Sequence, residues 1–205
     1  MSTRAPIVLR DATREDAAAL INLWSECAET SRDEGVDVLS SAVLWREPGV
    51  AEAAAALELN LASPDRRIIV ALVDGDIVGA VVCDVNTITP LNLTRVLVVT
   101  ELRVLQALRR KSIASTLLSA AANYGEEFNC EVVATLAPAN SREPNRFLAK
   151  LGFSQVSVLR VTQASMLRSK LSSKATNSRD TGKLIAVRRT LRRRQLNSRR
   201  LSNTP

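Results

Sequence analysis

Three cations and a serine stand side by side where a strand pattern in the middle of the chain gives way to a helix pattern. The run is Arg109-Arg110-Lys111-Ser112, and after it apolar residues recur three or four apart at Ile113, Leu117, Ala121 and Tyr124. Cations are unfavourable at a helix start, because the first turn already carries unpaired N–H groups and a partial positive charge. A bound anion would reverse this effect, so the run predicts an anion site. Solvated arginines on a surface turn are the alternative.

Glu101 is the acid within the β-rich stretch that leads into this turn. A carboxylate there could act as a base or hold a water molecule, or it could simply lie at the solvent edge of a sheet. Tyr124, the only tyrosine, falls on the apolar stripe of the following helix and is expected to pack in the core. Histidine is absent, which excludes His-based triads and His-ligated metals, and we expect no metal site.

Two motifs in this order resemble a known family. Arg109–Ala114 is similar to the Arg/Gln-x-x-Gly-x-Gly/Ala signature of the GCN5-related N-acetyltransferases (the GNAT superfamily), and Asn145–Phe153 resembles that family's closing helix with its Leu-Gly-Phe ending. The resemblance covers roughly Ile7 to Leu167. It implies an enzyme that uses acetyl-CoA as cosubstrate and transfers the acetyl group to a primary amine of a small molecule or protein, by direct attack in a ternary complex.

The resemblance also implies where acetyl-CoA would bind. The backbone of Leu102-Arg103-Val104 would pair with the pantetheine arm, the turn would hold the pyrophosphate, and Asn140 or Asn145 would hydrogen-bond the pantetheine or a water, with helix capping as the alternative. The expected cofactor-binding residues are Leu102, Arg103, Val104, Arg109, Arg110, Lys111, Ser112, Ile113, Ala114, Ser115, Asn140 and Asn145.

Two positions depart from the family pattern. Ser112 stands where the signature has glycine, which costs of order 1 kcal/mol if the backbone there needs φ > 0. Leu148 stands where many members have a tyrosine that protonates the departing thiolate, and leucine cannot donate a proton. Solvent would then have to supply it. The alternative function is therefore a catalytically weakened acyl-CoA-binding module with a polyanion-binding tail.

The elements that must position these residues follow a β-α-α-β-β-β-α-β-α-β order. This pattern predicts a mixed α/β sheet with helices on both faces, and the resemblance implies a mostly antiparallel sheet splayed at its middle. Ligands bind where neighbouring strands diverge at their carboxyl ends, here near Leu102–Leu105 and Ala134–Leu136. The outer strands are predicted over Ile7–Arg10, Arg67–Asp74, Ile77–Val85, Glu131–Leu136 and Gln155–Thr162, and the outer helices over Thr13–Glu29, Val50–Leu61 and Pro144–Leu151.

Glycines and acids mark the connections. Asp74-Gly75 is a hairpin signal, Gly79 within a strand indicates a bulge or a close backbone approach, and Gly152 is expected to end the last helix. The acids between residues 29 and 37 could attract a cationic amine, although a solvated loop is the interpretation we favour. These acids are Glu29, Asp33, Glu34 and Asp37.

Charge divides the chain of 205 residues into two parts. Met166–Pro205 holds 12 Lys/Arg and one acid, a net charge of +11, whereas the other 165 residues hold 16 Lys/Arg and 20 Asp/Glu, a net charge of −4. We predict a GNAT-like domain over residues 1–167 and a basic Ser/Arg-rich tail over 168–205 that is disordered or partly helical. Such a tail could solubilise the protein, contact acidic lipid, or bind polyanions weakly and without sequence preference.

The remaining composition indicates a cytoplasmic protein. No run of about 20 apolar residues and no apolar signal core is present, so we expect no membrane span. Cys27, Cys83 and Cys130 are odd in number and far apart, so reduced core residues are expected. The sequence does not specify the acceptor amine, and it is compatible with a homodimer.

Overall fold

The computed structural model describes residues 6–33, 45–109, 111–138 and 141–172. Of the predicted features, Glu34, Asp37, Arg110, Asn140 and the basic tail beyond residue 172 lie outside this part. The strands are β1 (Val8–Asp11), β2 (Arg66–Val73), β3 (Asp76–Thr87), β4 (Arg95–Val104) and β5 (Val132–Thr135), and the helices are α1 (Ala17–Asp33), α2 (Val50–Leu61), α3 (Ile113–Glu127) and α4 (Arg142–Lys150).

One mixed sheet of five strands, ordered β1-β2-β3-β4-β5, organises the fold. The first four strands are antiparallel neighbours, and only the β4–β5 pair is parallel. The β2–β3 hairpin turns at Asp74-Gly75, where both residues have positive φ (54° and 93°). This is the geometry that an Asp-Gly turn provides, so the sequence-based prediction is confirmed.

Helices cover both faces of the sheet, as the β/α order predicts. On one face, which we call the α3 face, α3 and α4 bury a core that includes Val81, Leu97, Leu117 and Leu148. On the opposite face, the α1 face, α1 and α2 pack over a smaller core that includes Leu23 and Val70. The sheet is therefore fixed from both sides, and its strands β3 and β2 carry the most buried residues.

Gly79 brings α3 close to the sheet. A Cβ atom built at this position would lie 3.0 Å from the carbonyl oxygen of Arg103, 3.1 Å from Ile113 Cγ2 and 3.2 Å from Leu117 Cδ1. The predicted close approach is thus confirmed, and a register shift in the β2–β3 pair lies beside it, between Ala71 and Leu72. Without a side chain at Gly79, the first turns of α3 can rest directly on β3, beside the end of β4.

Strand β4 contains a bulge and then leaves β5. Val82 pairs with Glu101 and Cys83 with Val99, so Thr100 is the extra residue on β4. The parallel pairing with β5 covers only Val96–Val99, and the amide of Leu136 donates the last hydrogen bond, to the carbonyl of Val99 (3.2 Å). Beyond the bulge β4 runs on for four residues without β5, so the sheet is splayed as expected.

Helix α4 ends in the Leu-Gly-Phe segment for a local reason. Gly152 has φ of 88°, the amide of Phe153 donates to the carbonyl of Leu148 (3.1 Å), and the amide of Gly152 donates to Ala149 (3.1 Å). This is a Schellman C-cap, which confirms the predicted role of Gly152. The helix starts earlier than predicted, at Arg142, because a proline is tolerated throughout the first turn, where amides lack helical partners. Pro144 is its third residue.

The first helix extends past its predicted end at Glu29 to Asp33. It is preceded by a 3₁₀ turn, Arg14–Asp16, and the carboxylate of Asp16 accepts a hydrogen bond from the amide of Thr13 (2.8 Å). This is the reciprocal capping that the Thr13-to-Asp16 spacing predicts. No helix in the described part of the chain is long and apolar enough to cross a bilayer.

The prediction of a strand over Gln155–Thr162 is wrong. The chain divides into two compact units, Met1–Val156 and Ser157–Pro205, and residues 153–163 are neither helix nor strand. Val156 and Val158 are 92% and 54% exposed. A strand is stabilised by a hydrogen-bonded neighbour and by burial of one face, and a β-rich composition supplies neither. The predicted boundary after residue 167 stays a prediction, and residues 164–172 are helical.

Candidate active site

Beyond the bulge, β4 presents a backbone edge that pairs with no strand in the described part of the chain. The amide of Leu105 donates to the carbonyl of Val78 on β3 (3.0 Å), so the ladder directs the backbone groups of Leu105 and Arg103 toward β3. By the alternation of an antiparallel ladder, those of Leu102 and Val104 point away from β3. The Val104 carbonyl accepts a hydrogen bond from Cys27 Sγ on α1 (3.6 Å). The edge is therefore able to accept an extended ligand as an added strand.

A left-handed turn follows this edge and starts α3. Ser112 is the N-cap, with φ of 68° and ψ of 3°, and no side chain caps the helix. The amides of the first three helical residues, Ile113, Ala114 and Ser115, make no helical hydrogen bond, since the ladder begins with Thr116 donating to the Ser112 carbonyl (2.9 Å). No acid lies in this first turn. The amides thus form a row of donors that suits an anion.

Of the basic side chains in the turn before α3, Arg109 contacts a carboxylate and Lys111 is exposed to solvent. Arg109 ends a short 3₁₀ turn (Gln106–Leu108) after β4, and its guanidinium lies 3.3 Å from the carboxylate of Glu143 in the first turn of α4. Lys111 is exposed, and its amide donates to the carbonyl of Leu108 (3.4 Å). The Arg109–Glu143 contact brings the start of α4 next to the start of α3, so both helix N-termini border the gap beyond β5.

Glu101 and Arg103 form an ion pair on the α1 face of β4. Arg103 Nε donates to Glu101 Oε2 (2.8 Å), and Arg103 Nη2 lies 2.6 Å from the same oxygen. Their side chains are 37% and 31% exposed, so the pair is in contact with solvent. The acid predicted to act in catalysis therefore lies beside the bulge with one oxygen engaged by a guanidinium, and the catalytic role itself stays a prediction.

A second ion pair lies next to the bulge. Arg66 Nε on β2 donates to Asp84 Oδ1 on β3 (2.5 Å), and the hydroxyl of Thr100 lies 3.4 Å from Asp84 Oδ2 and 3.4 Å from the carbonyl of Val82. Sequence reasoning missed Thr100 and Asp84, and it assigned Arg103 only a backbone role. The period-2 spacing of Glu101 and Arg103 was a signal for their contact, whereas nothing local to the sequence marks Thr100 as the bulged residue.

The only tyrosine, and the leucine at the position of the family's proton-donating tyrosine, both lie in the core. Tyr124 is 5% exposed, its hydroxyl donates to the carbonyl of Pro64 (3.2 Å), and its ring packs edge-on against Phe128 at 5.0 Å. Burial raises the pKa of the Tyr124 hydroxyl. Leu148 is 8% exposed and belongs to the α3-face core. The expectation that Tyr124 is a packed core residue is confirmed.

The loop before α4 is held by a side chain that was expected to bind the cofactor. Asn145 Nδ2 donates to the carbonyls of Pro138 (2.8 Å) and Ser141 (2.6 Å), so its amide ties both residues to α4. Cofactor contact by Asn145 stays a prediction, and Asn140 lies outside the described residues. Ser141 is the N-cap of α4 and is only 7% exposed, a buried hydroxyl at the gap that sequence reasoning did not identify.

The surface depression and the cysteines are weaker candidates for a functional site. A shallow surface depression of about 400 Å³ runs along the outer side of α3, lined by small polar side chains that include Ser115, Thr116, Ser119 and Asn123. The three cysteines form no disulfide, and burial raises their pKa values, that of Cys83 to about 11. Within the residues described here, no group of three or more His, Cys, Asp or Glu side chains could hold a metal ion.

These features together describe a splayed α/β sheet with an unpaired strand edge beside a row of helix-start amides. A family model described as the Acetyltransferase (GNAT) family matches residues 19–153. Because this match spans well over half of the chain, the protein belongs to the GNAT acetyltransferase family. No curated protein matches the chain in sequence.

Solved structures show the same fold. A transcriptional regulator from Bacillus halodurans aligns with a TM-score of 0.64 at 19% identity, over 77% of this chain and 100% of that one. An aminoglycoside N-acetyltransferase in complex with CoA aligns with a TM-score of 0.60 at 14% identity, over 80% and 97%. A putative acetyltransferase from Agrobacterium tumefaciens gives 0.60 at 21% identity, over 76% and 99%. At these identities the likeness extends to the fold alone.

Proposed function

We propose that the protein is an acetyl-CoA-dependent N-acetyltransferase that acts on a primary amine by direct attack in a ternary complex. One observation carries the proposal: the outward backbone edge at Leu102 and Val104 leads directly to the row of helix-start amides at Ile113–Ser115. The pantetheine arm of acetyl-CoA, which carries amide groups, fits the backbone edge, and its diphosphate fits the row of helix-start amides. Family membership supports the same ligand.

The residues of the turn suit a pyrophosphate in two ways. The amides of Ile113, Ala114 and Ser115 would donate to its oxygens, and Arg109 and Lys111 supply positive charge beside them. The hydroxyl of Ser112 adds a donor where the family signature has glycine. The positive φ of Ser112 turns the chain so that these amides face outward together, which is the reason the family uses glycine there.

The thioester end would lie at the bulge. An arm that starts at the N-terminus of α3 and follows the β4 edge back from Val104 reaches the point where β4 and β5 rejoin, beside Thr100 and Glu101. The acceptor amine forms the new C–N bond there as the C–S bond of the thioester breaks. Glu101, directly or through a water, would take the proton that the amine loses, and solvent would protonate the thiolate because Leu148 cannot.

The direct test is a pair of measurements on the full-length protein. Isothermal titration with acetyl-CoA should give a one-to-one complex, and incubation with a broad panel of primary amines should release thiol. Failure to bind acetyl-CoA at millimolar concentration would overturn the proposal. Glu101→Gln should keep acetyl-CoA binding and lose thiol release by a factor of about 10²–10⁴ if the carboxylate is the base.

A weakened acyl-CoA-binding module is the second candidate, and Leu148 favours it. This buried leucine occupies the position of the family's proton-donating tyrosine, and none of the described side chains in the core replaces it. Binding of acetyl-CoA without thiol release from any amine would support the module and rule out the enzyme. Release of thiol that depends on one added amine would decide for the enzyme.

A further inference from the structure

We propose that the acceptor is a zwitterion, an amine that carries a carboxylate or a similar anionic group close to it, and that the side chain of Arg103 binds the anion. The inference rests on the proposed function, because it names the second substrate of the same site. It would make Arg103 a specificity-determining residue through its guanidinium, in addition to any backbone contact with the cosubstrate.

The acceptor can reach the thioester from one face only. On the α3 face, the side chains of Leu102 and Val104 pack into the core with Ile113, Leu117 and Leu148, so this side of the gap is closed. On the α1 face, Asp84, Thr100 and Glu101 beside the bulge are polar and partly exposed. An amine that attacks at the bulge must therefore pass the side chains of the α1 face.

Two neutral ion pairs line that approach. Glu101 is paired with Arg103 on β4, and Asp84 on β3 is paired with Arg66. The four charges sum to zero. A cation such as a polyamine would meet carboxylates that are already paired, and it would have to displace a guanidinium from one of them in order to bind. These side chains therefore do not select for positive charge alone.

A zwitterion can replace the Glu101–Arg103 pair without leaving either charge unmatched. Its ammonium group would take the place of the guanidinium on Glu101, and its anionic group would bind Arg103. A guanidinium forks two N–H groups toward a carboxylate, which favours this geometry. Residues two apart on a strand are separated by about 7 Å, so the amine and the anion must belong to one small molecule or one terminal residue.

Matched acceptors test this directly. Thiol release would be measured at saturating acetyl-CoA with alanine against alaninamide, with β-alanine against β-alaninamide, and with spermidine as a polycation. We expect kcat/KM for at least one acid to exceed that of its amide by about tenfold or more, because the lost partner is a charge-assisted hydrogen bond. In Arg103→Gln this ratio should fall toward one, mainly through a higher KM for the acid.

A control variant separates recognition from folding. Arg95→Gln changes the same residue type at the far end of β4, where the guanidinium lies over the Phe128 ring, and it should keep the acid-to-amide ratio. Acetyl-CoA affinity by titration should be alike in both variants. Equal use of acids and amides, preference for spermidine, or an unchanged ratio in Arg103→Gln would each overturn the inference.

The experiments distinguish a failure of this inference from a failure of the proposed function. If the wild type binds acetyl-CoA but acetylates no acid-bearing amine, the inference on the acceptor is overturned and the cosubstrate assignment stands. If it binds no acetyl-CoA, both are overturned.

Discussion

Ser112 shows how one residue can carry both strain and function. Its φ of 68° lies in the left-handed region, which costs a residue with a Cβ roughly 1–2 kcal/mol. This backbone conformation is required by the turn into α3. Strain of this kind persists where the surrounding structure demands the conformation, and it concentrates at ligand sites. The outward row of amides is the feature of this site that depends on it.

Replacing Ser112 by glycine should therefore stabilise the protein. Glycine removes the left-handed penalty but adds unfolded-state entropy, so the free energy of unfolding should rise by about 0.5–1 kcal/mol. Urea denaturation would measure it. Ser112→Ala keeps the strain and loses only the hydroxyl, so it should not stabilise. Equal stability of the glycine and alanine variants would show that the turn is not strained.

Asp16 predicts a pH dependence of stability. Two hydrogen bonds from Arg10 (2.6 and 2.7 Å) lower the pKa of this carboxyl from its ordinary value of 3.8, and the amide of Thr13 adds a third. A lowered folded-state pKa means that the ion pair stabilises the fold above about pH 4 and that this contribution is lost as the pH falls further.

Asp16→Asn should accordingly cost about 2 kcal/mol in the free energy of unfolding at pH 7, and the difference from wild type should shrink below pH 4. Denaturant titrations at several pH values would measure it. Asp11→Asn is the control, because its pair with Arg67 (2.7 Å) is exposed and should contribute about 0.5 kcal/mol or less. A pH-independent cost for Asp16→Asn would contradict the assignment.

At the scale of elements, the contact between α3 and the sheet depends on one glycine. Gly79→Ala would place a methyl group 3.0 Å from the Arg103 carbonyl and 3.1 Å from Ile113, so the start of α3 must move away. We expect a loss of about 1–3 kcal/mol in stability and weaker acetyl-CoA binding together, measured by thermal unfolding and titration. Wild-type acetyl-CoA affinity in a destabilised variant would show that the position of α3 does not set the site.

The elements that the sequence predicts well have local causes. Asp74-Gly75 and Gly152 need positive φ, and Gly79 needs room, so each could be assigned from its own residue type. The strand predicted over Gln155–Thr162 failed because pairing depends on a neighbour that the segment's own composition does not specify. The bulge at Thr100, which aligns Thr100, Glu101 and Arg103 on one face, arises between two strands and could not be predicted from either alone.

At the scale of the whole molecule, charge is distributed unevenly along the chain. The two ion pairs beside the bulge sum to zero, whereas Ser172–Pro205 contains ten Lys/Arg and one Asp. Deleting this segment should remove salt-sensitive affinity for a polyanion such as heparin and leave acetyl-CoA affinity unchanged, because the proposed cosubstrate site lies within residues 102–115. Binding to a heparin column at increasing salt would measure the first, and titration the second. A deletion variant that still binds heparin would place polyanion affinity elsewhere.

The central claim is that the β4 edge and the first amides of α3 together hold coenzyme A. Titration of ¹⁵N-labelled protein with coenzyme A, followed by amide chemical shifts, tests it most directly. The account predicts that the largest shifts fall on Leu102, Val104 and Ile113–Ser115, with smaller changes along α1. Binding that leaves these amides unshifted, or no binding at millimolar ligand, would contradict it.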